Sequence, residues 1–368
     1  MIICKKRSRA FHARQNKIMK TKNSFKKYGL RKIGHCLIAC LFFLPILGGC
    51  GAASNETTAS GTASQANISQ KNIKPGNSPI PDEATDISPG SKKRGKISLS
   101  KDKKTIFVQG WLETHELTNR KTAKATKIVF RKDAGILVDG DILDFCLPPL
   151  QYAPLVKEIK VEEGNPFLYE KDGMLIQRAG ADFDFEYTTD RETLILCVPC
   201  KKGKIRIPEG VQDIYSSAFW GCSDITSVFL PSSLNNIGNA AFGGMKSCKN
   251  IHPPKNSKEY ISINGVLYYY SNSNSVLIAY PAGKTDKIFN NAPKNTDFIS
   301  AGAFLEATHL QEVYLPSGME KIDDGAFGGC KNLRKVIVKN KKKINEVSAQ
   351  AFWGCPKLKE RVKDKYER

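Results

Sequence analysis

The sequence predicts a repeat solenoid of the α/β class, with short parallel strands along one face and turns along the other. Three observations predict it. An Ala-Phe pair recurs five times, apolar residues stand at fixed distances around each pair, and a single unit carries too little apolar surface to fold alone.

The pairs are Ala218-Phe219, Ala241-Phe242, Ala303-Phe304, Ala326-Phe327 and Ala351-Phe352, separated by 23, 62, 23 and 25 residues. Four residues before each Ala stands Ile214, Ile237, Ile299, Ile322 or Val347, and three further back Val211, Leu234, Thr296, Met319 or Ile344. Another three back, four of the five units carry Pro208, Pro231, Pro293 or Pro316. Seven residues after the Ala comes Ile225, Cys248, Leu310, Leu333 or Leu358. The segment from Ile225 to Leu230 then reads as a strand with Ile225, Val228 and Leu230 inward. Pro231 cannot donate to a ladder, so the strand stops there.

Six or seven apolar side chains recover only part of the conformational entropy lost in ordering a unit of 23 residues. Neighbouring units must therefore share their faces, which makes the chain a stack. The five phenylalanines should form one column of core aromatics. Cys222, Cys330 and Cys355 share one position, four after the Ala, where the other units carry Met245 and Ala307. Exchange with Met and Ala marks a buried apolar slot. Trp220 and Trp353 follow two of the phenylalanines and are candidates for exposure.

The run Ile207-Pro208-Glu209-Gly210-Val211 through Ala218-Phe219-Trp220-Gly221-Cys222 resembles the BspA-type (Treponema pallidum-type) leucine-rich repeat. Over roughly residues 150–360, the resemblance implies a right-handed leucine-rich-repeat stack, displayed on bacterial cell surfaces for adhesion and protein contacts. Two longer segments break the period. Asp172-Gly173-Met174-Leu175 leads to Leu194 through Pro199, and Asn264-Gly265-Val266-Leu267-Tyr268 leads to Val276 through Pro281. Both resemble the β-hairpins found between repeats of this family, and the polar turn at Ser271 to Ser275 is a hairpin signal in itself.

The four domains expected are a signal peptide at 1–49, a disordered tether at 50–97, a β-rich N-terminal cap at 98–149 and the repeat solenoid at 150–368. The leader has a basic start (Lys26, Lys27, Arg31, Lys32) and an apolar run from Cys36 to Leu47, too short for the ~20 residues that span a bilayer. Met19 opens a leader of more usual length and is the expected start. Leu47-Gly48-Gly49-Cys50 resembles the lipobox of bacterial lipoproteins, which implies that Cys50 carries acyl chains such as palmitate and anchors the chain to a membrane outside the cytoplasm. From Gly51 to about Arg94 the chain is rich in Ser, Thr, Ala, Asn, Gly and Pro, a composition that cannot bury enough surface to order itself. Short β-like runs at Thr105 to Val108, Lys127 to Phe130 and Gly135 to Val138 predict the cap.

The formal net charge of +21 is misleading. Residues 1–49 hold twelve Lys or Arg and no acid, which leaves 45 − 36 = +9 beyond the leader. That surplus is not interleaved with stacking aromatics, so nucleic acid is not an expected partner. Seven cysteines remain after Cys50, an odd number at repeat spacing rather than a disulfide framework.

No enzyme, metal or cofactor is expected. Beyond the leader only His115, His252 and His309 are present, far apart, without a metalloprotease, hydrolase or phosphate-loop motif. His309 reads as an exposed turn residue. Cys197-Val198-Pro199-Cys200 has the spacing of a redox pair, but no helix start follows to activate a thiol. A local disulfide or two unreactive thiols are the other readings.

In a solenoid, outward residues of successive strands align about 4.8 Å apart. By register that ladder holds Lys160, Arg206, Phe229, His252, Tyr314 and Ile337, flanked by Ser227, Glu312, Arg334 and Lys335. Aromatic and Arg side chains are enriched at protein contacts. The leading expectation is a monomeric, lipid-anchored surface protein that binds a host or bacterial surface protein. The alternatives are an envelope scaffold contacting cell wall, glycan or another envelope protein, and a thiol oxidoreductase acting through Cys197 and Cys200.

Overall fold

The computed structural model describes residues 85–86, 95–137, 148–180, 190–339 and 344–362, all in a compact unit running from Ser78 to Arg368. The expected signal peptide, Cys50 and most of the expected tether lie outside the described residues.

Folded structure begins before the expected boundary at residue 97. β1 (Thr85–Asp86) pairs antiparallel with β2 (Gly95–Leu99), which pairs antiparallel with β3 (Thr105–Glu113). Ile97 and Leu99 alternate inward, opposite Val108 and Ile106, and all four are buried. Residues 95–97 are therefore strand rather than tether.

From β3 onward the stack is parallel. β3 pairs with β4 (Lys127–Phe130), and β4 with β6 (Glu158–Val161). Gly110 takes φ 65, a backbone conformation that side chains disfavour. Just past it, Trp111 to Glu113 of β3 pair in parallel with β5 (Gly135–Leu137). Among the described residues, the segment expected as the cap thus pairs antiparallel from β1 through β2 to β3 and in parallel from β3 to β4, β5 and β6.

Both expected hairpins are present, each with one strand more than expected. β7 (Leu168–Lys171), β8 (Met174–Gln177) and β9 (Thr193–Cys197) form one antiparallel meander. β15 (Tyr260–Ile263), β16 (Val266–Ser271) and β17 (Asn274–Ala279) form the other. The first turn of each has two residues at positive φ, Asp172-Gly173 at 53 and 78 and Asn264-Gly265 at 52 and 83. Asp-Gly and Asn-Gly tolerate these angles, which match the twist of a tight hairpin.

The last strand of each meander then enters the stack. β9 pairs in parallel with β11 (Asp213–Ile214), which pairs with β13 (Asn236–Ile237). β17 pairs with β19 (Thr296–Ile299), followed by β21 (Lys321–Ile322) and β23 (Glu346–Val347). These strands line one face. On the other face run β10 (Gly203–Arg206), β12 (Ile225–Phe229) and β14 (Asn250–His252), then β18 (Ile288–Phe289), β20 (Glu312–Leu315) and β22 (Lys335–Val338).

The expected α/β class is therefore corrected to a β-solenoid with parallel sheets on two faces. Among the described residues there is no α-helix, only the 3-10 turns Thr114–Glu116 and Arg120–Thr122. The Ile-x-x-x-Ala-Phe stretch has helix-like spacing, but it leaves its short strand through positive-φ positions. Ser217 and Ala240 adopt φ 57 and 53, and Gly221, Gly244, Gly329 and Gly354 adopt φ 67 to 81. No helix propagates through left-handed residues.

The repeat positions are core. Ile214, Val211, Ala218, Phe219 and Ile225 are buried, as are their equivalents in the other units, except Val347 and Leu358 of the last unit. These two are half-buried. The aromatics form two columns rather than one. Phe219 stacks on Phe242 at 5.4 Å, while Tyr280, Phe304, Phe327 and Phe352 stack at 5.1, 4.7 and 5.4 Å. The second meander enters between Phe242 and Phe304, and a cavity of about 10 Å³ separates Phe242 from Tyr280 and Ala303.

Candidate binding face

The outward side chains of β10, β12 and β14 form a stack. Arg206 pairs in register with Phe229, and Phe229 with His252. The guanidinium lies over the Phe229 ring at 4.2 Å, and the rings of Phe229 and His252 are stacked at 4.1 Å with 7° between their planes. Valine and leucine neighbours point the other way because a strand alternates its sides. Val228 and Leu230 are buried, whereas Phe229 and His252 are half-buried and Arg206 is exposed.

A second group lies on β20 and β22. Tyr314 aligns with Ile337 and Glu312 with Lys335. The Tyr314 hydroxyl donates to Glu312 Oε2 at 2.5 Å, and Lys335 Nζ lies 5.9 Å from the Tyr314 ring centroid. The Glu312 carboxylate holds the Tyr314 phenol above its usual range. Arg334 is exposed beside it.

The structure does not join every expected ladder residue. Lys160 lies on β6, in a different sheet from Arg206, beside a groove of about 420 Å³ also lined by Glu162, Tyr169 and Arg178. Ser227 is buried. Sequence reasoning missed Ile288, which aligns with Glu312 and is 51 % exposed, the larger value of the two exposed large apolar residues. Its strand stands one residue further from the following Pro293 than Val313 does from Pro316, so the repeat register slips over it.

The opposite face also places a cation over a ring, Lys321 Nζ 5.3 Å from the Phe298 centroid, and is richer in polar pairs. Asn236 donates to Asp213 at 2.7 Å, Arg191 lies 3.6 Å from Asp213, and Asn274 donates to Asp297 at 2.5 Å. Lys321 lies 3.6 Å from Glu346 and 3.7 Å from Asp323. These polar groups satisfy one another along the stack.

The sites weighed for catalysis are placed as follows. Cys197 is buried and Cys200 half-buried, neither in a disulfide, and the chain turns from them into β10 rather than a helix. Cys222 donates to the Val198 carbonyl at 3.4 Å in the core. Cys330 is buried and Cys355 half-buried, so the cysteine slot is apolar core except at the end of the stack. His115 sits 3.2 Å from Glu113, and His309 is exposed as expected. Trp220 and Trp353 are half-buried, not exposed. No His, Cys, Asp and Glu cluster suited to a metal occurs among the described residues. No helix among them is long and apolar enough to cross a membrane.

Comparison with known proteins finds one family. Residues 199–281 and 285–359 match the BspA type leucine rich repeat region in six copies. No curated protein matches. Among solved structures, a leucine-rich repeat protein from Eubacterium ventriosum is similar at 15% identity and TM-score 0.39, over 75% of this chain and 84% of that one. A leucine rich cell surface protein from Faecalibacterium prausnitzii is 15% identical with TM-score 0.30, over 77% and 94%. The T. pallidum leucine rich repeat protein is 14% identical with TM-score 0.24, over 73% and 90%.

Proposed function

Since residues 199–281 and 285–359 are BspA-type leucine-rich repeats, we propose that the chain is a lipid-anchored bacterial surface protein that binds another protein through the outward face of β10, β12, β14, β18, β20 and β22. The observation that carries this reading is the continuous stack of Arg206, Phe229 and His252 across three strands, with the exposed Ile288 on β18. Aromatic and Arg side chains with an apolar neighbour are what the core of a protein interface uses.

Anchoring rests on Leu47-Gly48-Gly49-Cys50 following a short apolar run, and a polar segment of about forty residues after Cys50 would hold the repeats off the membrane. The binding partner is sought by pull-down of host and bacterial surface proteins with residues 78–368. Protease shaving of intact cells reads exposure, and palmitate labelling of the wild type against Cys50→Ser reads the anchor. Unlabelled wild-type protein would remove the anchor, and absence of repeat peptides after shaving would remove outward display.

A further inference from the structure

Just before β18, β20, β22 and the coil after them, the backbone is joined rung to rung. Gln311 N donates to Lys287 O at 2.8 Å, Arg334 N to Gln311 O at 2.7 Å and Lys359 N to Arg334 O at 2.9 Å. These bonds set Lys287, Gln311, Arg334 and Lys359 in one row, with rungs about 4.8 Å apart. Lys287, Arg334 and Lys359 are exposed.

Little on this edge cancels their charge. Residues 284–288, 308–312, 331–335 and 356–360 hold seven Lys or Arg against three carboxylates. Each carboxylate already has a neighbour: Asp286 lies 3.3 Å from Lys284, Glu360 lies 3.8 Å from Lys335, and Glu312 accepts from Tyr314. Among the described residues, Lys287, Lys331, Arg334 and Lys359 make no ion pair. A row of cations of this kind draws in anionic ligands and favours them over cationic ones.

The neighbouring rows carry apolar groups. Ile288 is exposed one residue on from Lys287, and Tyr314 pairs in register with Ile337 on the same outward face. A sulfated or phosphorylated polymer brings anions but nothing apolar to cover Ile288, whereas a peptide brings both. Side chains alternate along an extended peptide, so acidic and apolar residues in alternation reach the two kinds of row together. Three rungs span ~14 Å, the reach of four to five extended residues at ~3.3 Å each.

We propose that the partner docks here through an extended acidic segment of its chain, with carboxylates over Lys287, Arg334 and Lys359 and alternate apolar side chains against Ile288, Tyr314 and Ile337. The proposal rests on the reading of this face as protein-binding and adds the chemistry of the segment bound.

The probe is a fluorescein-labelled peptide alternating Glu and Val, titrated against the full chain by fluorescence anisotropy. Binding should weaken about tenfold in Lys287→Gln/Arg334→Gln/Lys359→Gln, and likewise at high salt. Ile288→Ser should weaken it several-fold. Lys121→Gln/Lys124→Gln/Lys258→Gln removes the same charge from exposed sites elsewhere and should leave binding unchanged. Circular dichroism checks that each variant is folded. Equal loss in both triple variants, or preference for the peptide with Lys in place of Glu, would overturn the proposal. Heparin binding that needs the three cations, with no binding of the peptide, would assign the row to a sulfated glycan instead. Partner capture separates this result from the broader reading. Capture lost in Phe229→Ser/Tyr314→Ser but kept in the cation variant would remove the acidic segment and leave the face, and capture kept in both would remove the face.

Discussion

The indole of Trp353 rests directly on Gly328 of the preceding coil: a Cβ at Gly328 would stand 2.6 Å from indole Cε2 and Nε1. Leu305 covers Gly243 in the same way, its Cδ2 2.4 Å from where a Cβ would be. Bulky residues after the repeat Phe thus fold over glycines one coil earlier, closing the corner of the stack.

Gly328→Ala should therefore displace Trp353 and destabilise the fold by about 1 to 3 kcal/mol, as overpacking does. Urea unfolding followed by tryptophan fluorescence reads both effects. An unchanged midpoint and unchanged emission would show that the corner is loose.

Glu306 stands where four other units carry a positive-φ glycine, and it adopts φ 58 itself. Its carboxylate is 3.5 Å from the exposed Lys246, a solvent-screened pair that contributes little. Relief of left-handed strain outweighs that loss, so Glu306→Gly should stabilise by up to ~1 kcal/mol in denaturant titration. Destabilisation beyond that size would mean that the carboxylate holds the coils together.

Stability should fall in alkali. Burial pushes the Cys248 thiol up to about 12, and burial is also the main cause that raises the Tyr260, Tyr268 and Tyr280 phenols, with the Asp286 carboxylate adding at Tyr280. Groups raised in the fold contribute their full stability below the unfolded values, 9.0 for the thiol and 10.0 for the phenols, and lose it as pH climbs from there toward the folded values. Urea midpoints should hold steady up to about pH 9 and decline above it. A flat profile through this range would contradict the burial of these four groups.

Phe229→Ser combined with Tyr314→Ser should weaken capture of the partner while changing stability by less than ~1 kcal/mol, because both rings are surface rungs. Ile288→Asp should act in the same direction with no loss of stability. Undiminished capture by both variants, with folding intact, would move the binding surface elsewhere on the molecule.

Much of the fold is legible along the chain. The inward positions around each Ala-Phe pair, both hairpins and the three short β runs before residue 140 follow from apolar spacing and from Pro, Asp-Gly and Asn-Gly punctuation. The second parallel face is not legible, because two-residue strands such as Asp213–Ile214 have no periodicity of their own and exist only by pairing with the coils on either side. Ile288 escaped for a related reason, a one-residue slip after the second meander.

Local pattern by itself determined which residues of a coil face inward and that coils must stack, since both follow from apolar spacing within one unit. Which side chains meet across coils was decided only in three dimensions: Arg206 on Phe229 on His252, and Trp353 on Gly328. Such pairs lie more than twenty residues apart, and insertions of different lengths between them leave their register to the backbone hydrogen bonds that join one coil to the next.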